Sequence, residues 1–288
     1  MKNRLPAWFK QEIPSDKALE TKDILSEFNV STVCRKARCP NSGRCFKDLK
    51  ISFMILGDIC TRNCRFCAVD KSESGVLEID HDEPRRIAQA ARKLGLKYVV
   101  ITSVTRDDLP DAGAAQFAET IREIREIGKN IKLEVLIPDF NGNIPSLKTV
   151  ISAKPNVIAH NIETVRRLYG EIRPKSSYET SLDVLRIIKK TDTSLTVKSS
   201  IILGLGEQEE DLLSTMRDLK STGLDILTLG QYLSPGPDYY PVKEFIAIER
   251  FKRYRDMAMR MGFKTVLSGP LVRSSYEAEE TYKEFIYV

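Results

Sequence analysis

Six cysteines fall in two triplets within the first quarter of the chain, and they constrain its fold more than any other feature. The first triplet is Cys34, Cys39 and Cys45; the second is Cys60, Cys64 and Cys67. The irons of a cubic four-iron cluster each normally take one thiolate. Three cysteines in one loop can therefore bind three irons and leave the fourth open to a substrate or cofactor. The two triplets predict two such clusters.

Disulfide bonds and structural zinc are the alternatives for these cysteines. With 288 residues and 42% hydrophobic content, the chain is large enough for a core that needs no covalent cross-links. Zinc prefers four ligands, often from paired Cys or Cys/His units. Each triplet supplies only three, and the two histidines, His81 and His160, adjoin neither triplet. The residues therefore favour iron–sulfur clusters.

The basic excess of the chain is confined to its amino-terminal part. Residues 1–50 contain 11 Lys and Arg against 6 Asp and Glu, whereas the other 238 residues contain 34 of each. Arg35, Lys36, Arg38 and Arg44 interleave with the first triplet. They could stabilise an anionic cluster, steer an acidic partner protein or form a solvated surface. A stacking-aromatic framework is missing, so nucleic-acid binding is not favoured.

The segment at the start of the chain bears on where the protein works. Residues 1–10 lack the apolar stretch of a signal sequence, and no apolar run approaches the length of a membrane span. We therefore expect a cytoplasmic protein with no membrane partner, in a reducing compartment where thiols and clusters persist.

Strand and helix patterns alternate from about residue 51. Six strands are predicted, at residues 51–56, 97–103, 132–137, 156–161, 195–203 and 225–229, with a further short one at 264–267. Such alternation implies parallel βαβ units. We predict an α/β fold, a partial (β/α)6 barrel of the TIM type at 51–267. An N-terminal extension (1–50) and a C-terminal extension (268–288) flank it.

Polar residues recur at the carboxyl ends of the predicted strands, where barrels of this kind place catalytic groups. Thr102 and Ser103 close the second strand, and Asn161 and Glu163 close the fourth. Asn161 and Glu163 are two residues apart and could point together at ribose hydroxyls, although a turn or a helix cap would also explain them. Lys198 lies within the fifth strand.

Longer segments extend these patterns into a family resemblance. The C-x3-C-x2-C spacing of the second triplet is typical of radical S-adenosylmethionine (SAM) enzymes. Together with the first triplet and Arg273-Ser274-Ser275-Tyr276, it resembles the lipoyl synthase family over nearly the whole chain. The further similar segments are residues 101–111, 134–140, 160–165, 204–207 and 230–233. Positions that depart from the family pattern, none of them a cluster ligand, include Arg35, Lys36, Arg44, Tyr239 and Tyr240.

The resemblance implies a sulfurtransferase that inserts two sulfur atoms at C6 and C8 of a protein-bound octanoyl-lysine. Cys60, Cys64 and Cys67 would bind a [4Fe–4S] cluster that chelates SAM and cleaves it reductively to a 5′-deoxyadenosyl radical. An auxiliary [4Fe–4S] cluster would be the sulfur donor. Its ligands would be Cys34, Cys39, Cys45 and, by motif position, Ser275.

The remaining site predictions concern SAM and the end of the chain. Thr102 and Ser103 are expected at the SAM amino group, and Arg173 and Lys198 at carboxylates. Without the resemblance, Ser274 and Glu277 fit a helix capping box. The two interpretations are compatible if Ser274 caps a helix while Ser275 binds the cluster.

The resemblance also implies partners: an octanoylated lipoyl domain or H protein, reduced flavodoxin or ferredoxin as electron donor, and an iron–sulfur carrier that rebuilds the spent cluster. A methylthiotransferase acting on tRNA is an alternative enzyme, but it would need an RNA-binding domain, and only 21 residues follow Leu267. A non-catalytic iron–sulfur or zinc module that binds partners is the alternative outside enzymes.

Overall fold

Strands and helices alternate through the residues that the computed structural model describes, which are 6–9, 14–71 and 78–287. The start of the predicted N-terminal extension and residue 288 thus lie outside the described residues. The strands are β1 Ser31–Thr32, β2 Ser52–Ile55, β3 Ile59–Cys60, β4 Asp70–Lys71, β5 Tyr98–Ser103, β6 Lys132–Leu136, β7 Val157–Ala159, β8 Thr196–Leu203, β9 Ile226–Gln231 and β10 Thr265–Gly269. The α-helices are α1 Asp16–Glu27, α2 Val33–Lys36, α3 Ser42–Lys47, α4 Glu83–Lys93, α5 Ala114–Ile127, α6 Ile144–Ser152, α7 Tyr169–Ile172, α8 Tyr178–Thr191, α9 Glu209–Ser221, α10 Ile248–Arg260 and α11 Ala278–Ile286.

Seven parallel strands form the main sheet, in the order β2-β5-β6-β7-β8-β9-β10, with β1 antiparallel at the edge beside β2. Spatial order follows chain order, as in a barrel, whereas a doubly wound sheet reverses its order at a switch point. This confirms the predicted α/β partial barrel. The weakly predicted last strand is fully part of the sheet: β10 pairs with β9 from Thr265 to Gly269. The domain boundary proposed at residue 267 therefore falls inside β10.

The two faces of the sheet differ in chemistry because successive side chains of a strand point to opposite faces. Val99 and Ile101 of β5 belong to the large apolar core, together with residues of α4 and α5. On the opposite face, the Tyr98 hydroxyl donates to Glu134 Oε2 and Lys198 Nζ donates to Glu134 Oε1, both at 2.8 Å. This second face is buried yet polar, as a barrel interior that carries a site requires.

The C-terminal helix α11 covers part of that polar face. Ala278 packs with Tyr98 and Val100, and the ring of Tyr282 lies 6.0 Å from the ring of Tyr98.

No helix in the described part of the chain combines the length and the apolarity needed to cross a lipid bilayer.

The two extensions contact each other beside β2. Asn41 Nδ2 donates to the Leu271 carbonyl at 2.6 Å, and Lys50 Nζ lies 2.8 Å from Glu280 Oε1. Arg44 reaches Glu277 at 3.5 Å. The amino-terminal cysteine loop and the end of the chain are therefore assembled into one unit at the barrel mouth.

The capping-box interpretation of Ser274 is wrong. Helix α11 begins at Ala278, and its N-cap residue is Glu277, with φ +48° and no side-chain capping bond. The Ser274 hydroxyl donates instead to Asn161 Oδ1 at 2.8 Å. Ser274 thus bonds a residue that is distant in the sequence, and not the backbone of the following helix that the motif indicates.

Gly230 of β9 allows the C-terminal segment to pack closely against the sheet. A Cβ atom at Gly230 would lie 2.0 Å from the carbonyl oxygen of Val272. The two backbones can approach this closely only because glycine has no side chain.

We expect Gly230→Ala to displace the segment around Val272 and to lower the free energy of unfolding by about 1–3 kcal/mol through overpacking. Urea unfolding measures the loss, and limited proteolysis reports release of the C-terminal segment. Gly170→Ala is the control, because among the described residues a Cβ there would meet open space beyond its own helix. Equal stability of the two variants would contradict the assignment.

Candidate metal and SAM site

The second cysteine triplet lies in a loop that is closed at the carboxyl end of β2. Strands β3 and β4 pair Ile59 with Asp70 and Cys60 with Lys71, which closes the loop at its base. The chain enters it through a left-handed turn at Leu56 (φ +67°) and Gly57 (φ +80°). The Glu83 carboxylate fixes this turn by accepting from the backbone N–H of Leu56 at 2.7 Å and of Gly57 at 3.4 Å.

The three thiols of this loop are partly enclosed and interact electrostatically. Cys60 Sγ accepts from the backbone N–H groups of Arg62 and Thr105, each at 3.4 Å. Burial raises the pKa of Cys67 to about 12. Burial also raises the pKa of Cys64, although the charge of Arg173 beside it acts in the opposite sense. Buried thiols of this kind ionise when a metal binds, because a coordinating thiol is deprotonated outright.

The first triplet has the same character. Burial, followed by the negative charge of Cys39, raises the pKa of Cys34 to about 12 and that of Cys45 to about 11. The backbone of Ser52 beside Cys34 opposes this rise in the pKa of Cys34, and the Ser52 hydroxyl is 2.8 Å from the Ser275 hydroxyl. Ser275 is therefore one residue removed from the triplet, which fits its predicted place as a fourth ligand.

The donor sets fit clusters better than the alternatives for the cysteines. All six cysteines are free thiols. Among residues 6–9, 14–71 and 78–287, no three His, Cys, Asp or Glu side chains converge on a single-ion site. Ligands of a cubic cluster are held further apart than those of a single ion, because each thiolate binds a different iron.

An ion pair connects the two cysteine loops, and Arg273 interacts with both the first triplet and Glu163. Lys36 of the first loop pairs with Asp58, which immediately precedes β3. Burial lowers the pKa of Arg273, and the negative charges of Cys39 and Glu163 oppose that effect. Arg273 therefore lies between a thiol of the first triplet and an acid at the end of β7.

Asn161 and Glu163 converge, as predicted. Asn161 Nδ2 donates to Glu163 Oε1 at 3.0 Å. Glu163 adopts φ +66°, and its backbone is held by bonds to Ser200 and Ile202 of β8 at 2.9 and 2.8 Å. Strained conformations at non-glycine residues cluster at functional sites. Burial raises the pKa of Glu163, and Arg173, Asn161 and Arg273 oppose that rise.

Arg173 joins this pair to the cysteine loop. Its Nη1 donates to the Asn161 carbonyl at 3.1 Å and to the Tyr169 hydroxyl, and its charge acts on Cys64. The predicted pairing of Arg173 with a ligand carboxylate is untested. In the described structure the Arg173 side chain is buried and donates hydrogen bonds to Asn161 and Tyr169 inside the protein.

A relay of hydrogen bonds that the sequence did not indicate holds Arg173. The Tyr169 hydroxyl lies 2.6 Å from Ser181 Oγ, and Ser181 Oγ lies 2.9 Å from His160 Nε2. His160 Nδ1 lies 2.9 Å from the Ile137 carbonyl, which can only accept. His160 is therefore the Nδ1–H tautomer. Burial, with a contribution from Arg173, lowers its pKa to about 4, so the ring is neutral at pH 7.

The other predicted SAM contacts separate into two groups. Thr102 Oγ1 donates to the Leu136 carbonyl at 3.1 Å, while Ser103 Oγ is buried and has no partner in the described residues. Lys198 is not part of the Asn161–Glu163 group; it is bound to Glu134 within the sheet interior, and both side chains are 1% exposed. The structure thus brings together Asn161, Glu163 and Arg173, but not Lys198.

Arg62, between the first two cysteines of the loop, is a residue that sequence reasoning missed. Its guanidinium donates to Asp107 after β5 at 2.8 and 2.9 Å and to Asp139 after β6 at 2.6 Å twice. Burial alone would lower the pKa of Arg62, but these carboxylates raise it. The signal that could have found it is two aspartates directly after neighbouring strands, facing a loop with an interior arginine.

The fold and site define a radical SAM enzyme: residues 54–219 match the family described as the Radical SAM superfamily. Methylornithine synthase (PylB), a solved structure, matches over 88% of this chain and 84% of its own, with a TM-score of 0.54 and 15% identity, which supports the fold alone.

Sequence relatives give the particular family. A lipoyl synthase of Caldanaerobacter subterraneus is 50% identical over 276 residues, 96% of each chain. One of Caldicellulosiruptor bescii is 49% identical over 277 residues, 96% of this chain and 94% of its own. The chain belongs to the lipoyl synthase family. This confirms the resemblance and the predicted class, a radical SAM sulfurtransferase that uses SAM and a [4Fe–4S] cluster.

We expect Arg62→Ala to lower the free energy of unfolding by about 3–5 kcal/mol, because it leaves the buried Asp139 carboxylate without its cation. Arg65→Ala is the matched control in the same loop: its side chain is 51% exposed and pairs with a half-exposed glutamate. That change should cost less than about 1 kcal/mol. Urea unfolding of both variants checks this, and a similar small loss in each would refute the role of Arg62.

A pH dependence follows from His160. The unfolded histidine binds a proton below its ordinary pKa of 6.5, while the folded one stays neutral down to about 4. Stability contributed by neutral His160 is therefore complete above pH 6.5 and is lost as pH falls, with a slope of up to about 1.4 kcal/mol per pH unit. Unfolding measured between about pH 7 and about pH 5 should show a shallower slope in His160→Asn than in wild type. His81→Asn, at an exposed position, is the control.

Proposed function

We propose that the chain inserts two sulfur atoms, at C6 and C8, into an octanoyl group carried on a lysine of a partner protein. The sulfur donor is a second [4Fe–4S] cluster held by Cys34, Cys39, Cys45 and Ser275. One observation carries this proposal: the end of the chain returns to the first triplet, with the Ser275 hydroxyl 2.8 Å from the hydroxyl of Ser52, whose backbone lies beside the Cys34 thiol.

The three cysteines of the second triplet have defined roles at the catalytic cluster. Cys60, Cys64 and Cys67 hold three irons of the catalytic cluster and leave the fourth iron to SAM. When bound there, cluster and SAM supply a 5′-deoxyadenosyl radical that removes hydrogen from the octanoyl chain. The protein contributes position and shielding, since such cofactors carry the hard chemistry themselves.

The Asn161–Glu163 pair is the ribose-binding group in this proposal. A carboxylate and an amide side by side can accept from, and donate to, two neighbouring hydroxyls. Thr102 and Ser103, whose buried hydroxyl has no partner among the residues that the structure describes, lie at the end of β5 and are assigned to the amino acid end of SAM. Arg173 supplies the fixed positive charge between this group and Cys64.

A serine ligand suits a cluster that gives up sulfur. An alkoxide binds iron less firmly than a thiolate, so a cluster with one serine ligand is easier to open than one with four cysteines.

Lys198 is assigned to the interior with Glu134, where it stabilises the polar face beneath the site rather than binding SAM.

The partner surfaces are proposed on charge. Arg35 and Arg38 are exposed and line an open cavity of about 600 Å³ beside Cys34 and Cys39, with Lys22 and one acid, Asp23. This surface suits acidic proteins. We assign the octanoylated substrate to a lipoyl domain or an H protein, the electron to reduced flavodoxin or ferredoxin, and cluster renewal to an iron–sulfur carrier, all in the cytoplasm.

The test is anaerobic reconstitution followed by an assay with dithionite, SAM and an octanoyl-lysine peptide. We expect about eight irons per chain, two four-iron clusters, and a peptide that has gained two sulfurs. Replacing Cys34, Cys39 and Cys45 with alanine should leave about four irons and keep SAM cleavage while abolishing sulfur insertion. Replacing Cys60, Cys64 and Cys67 should abolish SAM cleavage. Sulfur insertion by the first variant would contradict the assignment of the donor.

A further inference from the structure

Two adjacent serines near the end of the chain face two different sites. The Ser275 hydroxyl lies 2.8 Å from the hydroxyl of Ser52, on the side of the first triplet, whereas the Ser274 hydroxyl donates to Asn161 Oδ1 at 2.8 Å. Asn161 is 9% exposed, so this contact is largely shielded from water.

The contact fixes the orientation of the Asn161 amide. A carboxylate only accepts hydrogen bonds, so the Asn161 nitrogen must be the atom that faces Glu163 Oε1 at 3.0 Å. Asn161 Oδ1 then faces the C-terminal segment, where the hydroxyl of Ser274 satisfies it. Without that hydroxyl, the amide oxygen would have no donor there and the amide could rotate away from Glu163.

The backbone around Ser274 is anchored independently of this hydrogen bond. Asn41 holds the Leu271 carbonyl at 2.6 Å, and Gly230 allows the close approach of Val272. Ser274 is not a helix cap, because α11 begins four residues later with Glu277 as its N-cap. Its hydroxyl therefore has a specific partner in the barrel rather than a local structural one.

We propose that Ser274 is a positioning residue for SAM: the C-terminal segment completes the SAM site by orienting Asn161 against Glu163. The proposal rests on the assignment of Asn161 and Glu163 to SAM. One short segment then serves both sites, with Ser275 at the auxiliary cluster and Ser274 at the SAM-binding pair.

The test uses the reconstituted protein with both clusters. The apparent KM for SAM is measured in dithionite-driven formation of 5′-deoxyadenosine, and SAM is titrated against the electron paramagnetic resonance spectrum of the reduced catalytic cluster. Ser274→Ala should raise the KM and the titration midpoint roughly three- to tenfold, the equivalent of one hydrogen bond, with kcat little changed. Ser274→Thr, which keeps the hydroxyl, should restore both values.

Ser268→Ala is the matched control. It removes a serine hydrogen bond of the same 2.8 Å length in the same part of the chain, but that hydroxyl donates to the Phe251 carbonyl of α10. The titration midpoint should stay at the wild-type value in this variant. If Ser274→Ala and Ser268→Ala shift the midpoint equally, the effect is structural and the proposal fails.

Two further results keep the inference separate from the proposed function. If wild type forms no 5′-deoxyadenosine, the proposed function itself fails. If wild type cleaves SAM and Ser274→Ala binds SAM with wild-type affinity, only the role of Ser274 is overturned. If Ser274→Ala loses iron, the comparison is made between Asn161→Ala and the double variant Ser274→Thr/Asn161→Ala. A titration midpoint for SAM that differs between these two variants would overturn the coupling of Ser274 to Asn161.

Discussion

The contact of Arg62 with Asp107 and Asp139 is the interaction on which the site depends. A loop that carries three thiols has few apolar groups to bury, so it needs another anchor on the barrel. Arg62 provides one with two carboxylates that follow neighbouring strands. Taking Arg62 and Asp139, whose side chains are 3% and 2% exposed, out of water is costly, and the cost is met only when their N–H groups and oxygens find partners, the partly exposed Asp107 among them. These contacts therefore hold the loop in one conformation, and a cluster needs its ligands to be held in this way.

The end of the chain provides the second constraint. Helix α11 lies on the polar face of the sheet through Ala278 and Tyr282, and the segment before it passes close to Gly230. The strands alone would leave this face open to water. With the segment in place, two serines reach two sites, and ion pairs such as Lys50–Glu280 join the last residues to the first cysteine loop. The barrel mouth is thus assembled from residues at both ends of the chain.

Periodicity predicted the barrel strands because each buries an apolar face, and the two-residue spacing of Asn161 and Glu163 at one strand end predicted that their side chains point together. It failed where a local motif competed with a distant partner. Ser274 and Glu277 have the spacing of a capping box, yet Ser274 bonds Asn161, and Glu277 takes φ +48°. Arg62 was missed for the same reason: its partners Asp107 and Asp139 follow other strands, and nothing adjacent to Arg62 in the sequence indicates them.

Departures from local preference gather where the chemistry is expected. Glu163 has a left-handed backbone and a buried acid, and Arg173 is a buried cation next to a thiol. Both features are unfavourable alone. They are stabilised by neighbouring residues that hydrogen bonds hold in place, the neutral ring of His160 among them. Natural sequences break local rules mainly at functional sites. A chain selected only for stability would have no reason to hold an arginine at the end of a four-residue relay; the proposed roles of Cys64 and of the Asn161–Glu163 pair give one, because they require a fixed charge between them.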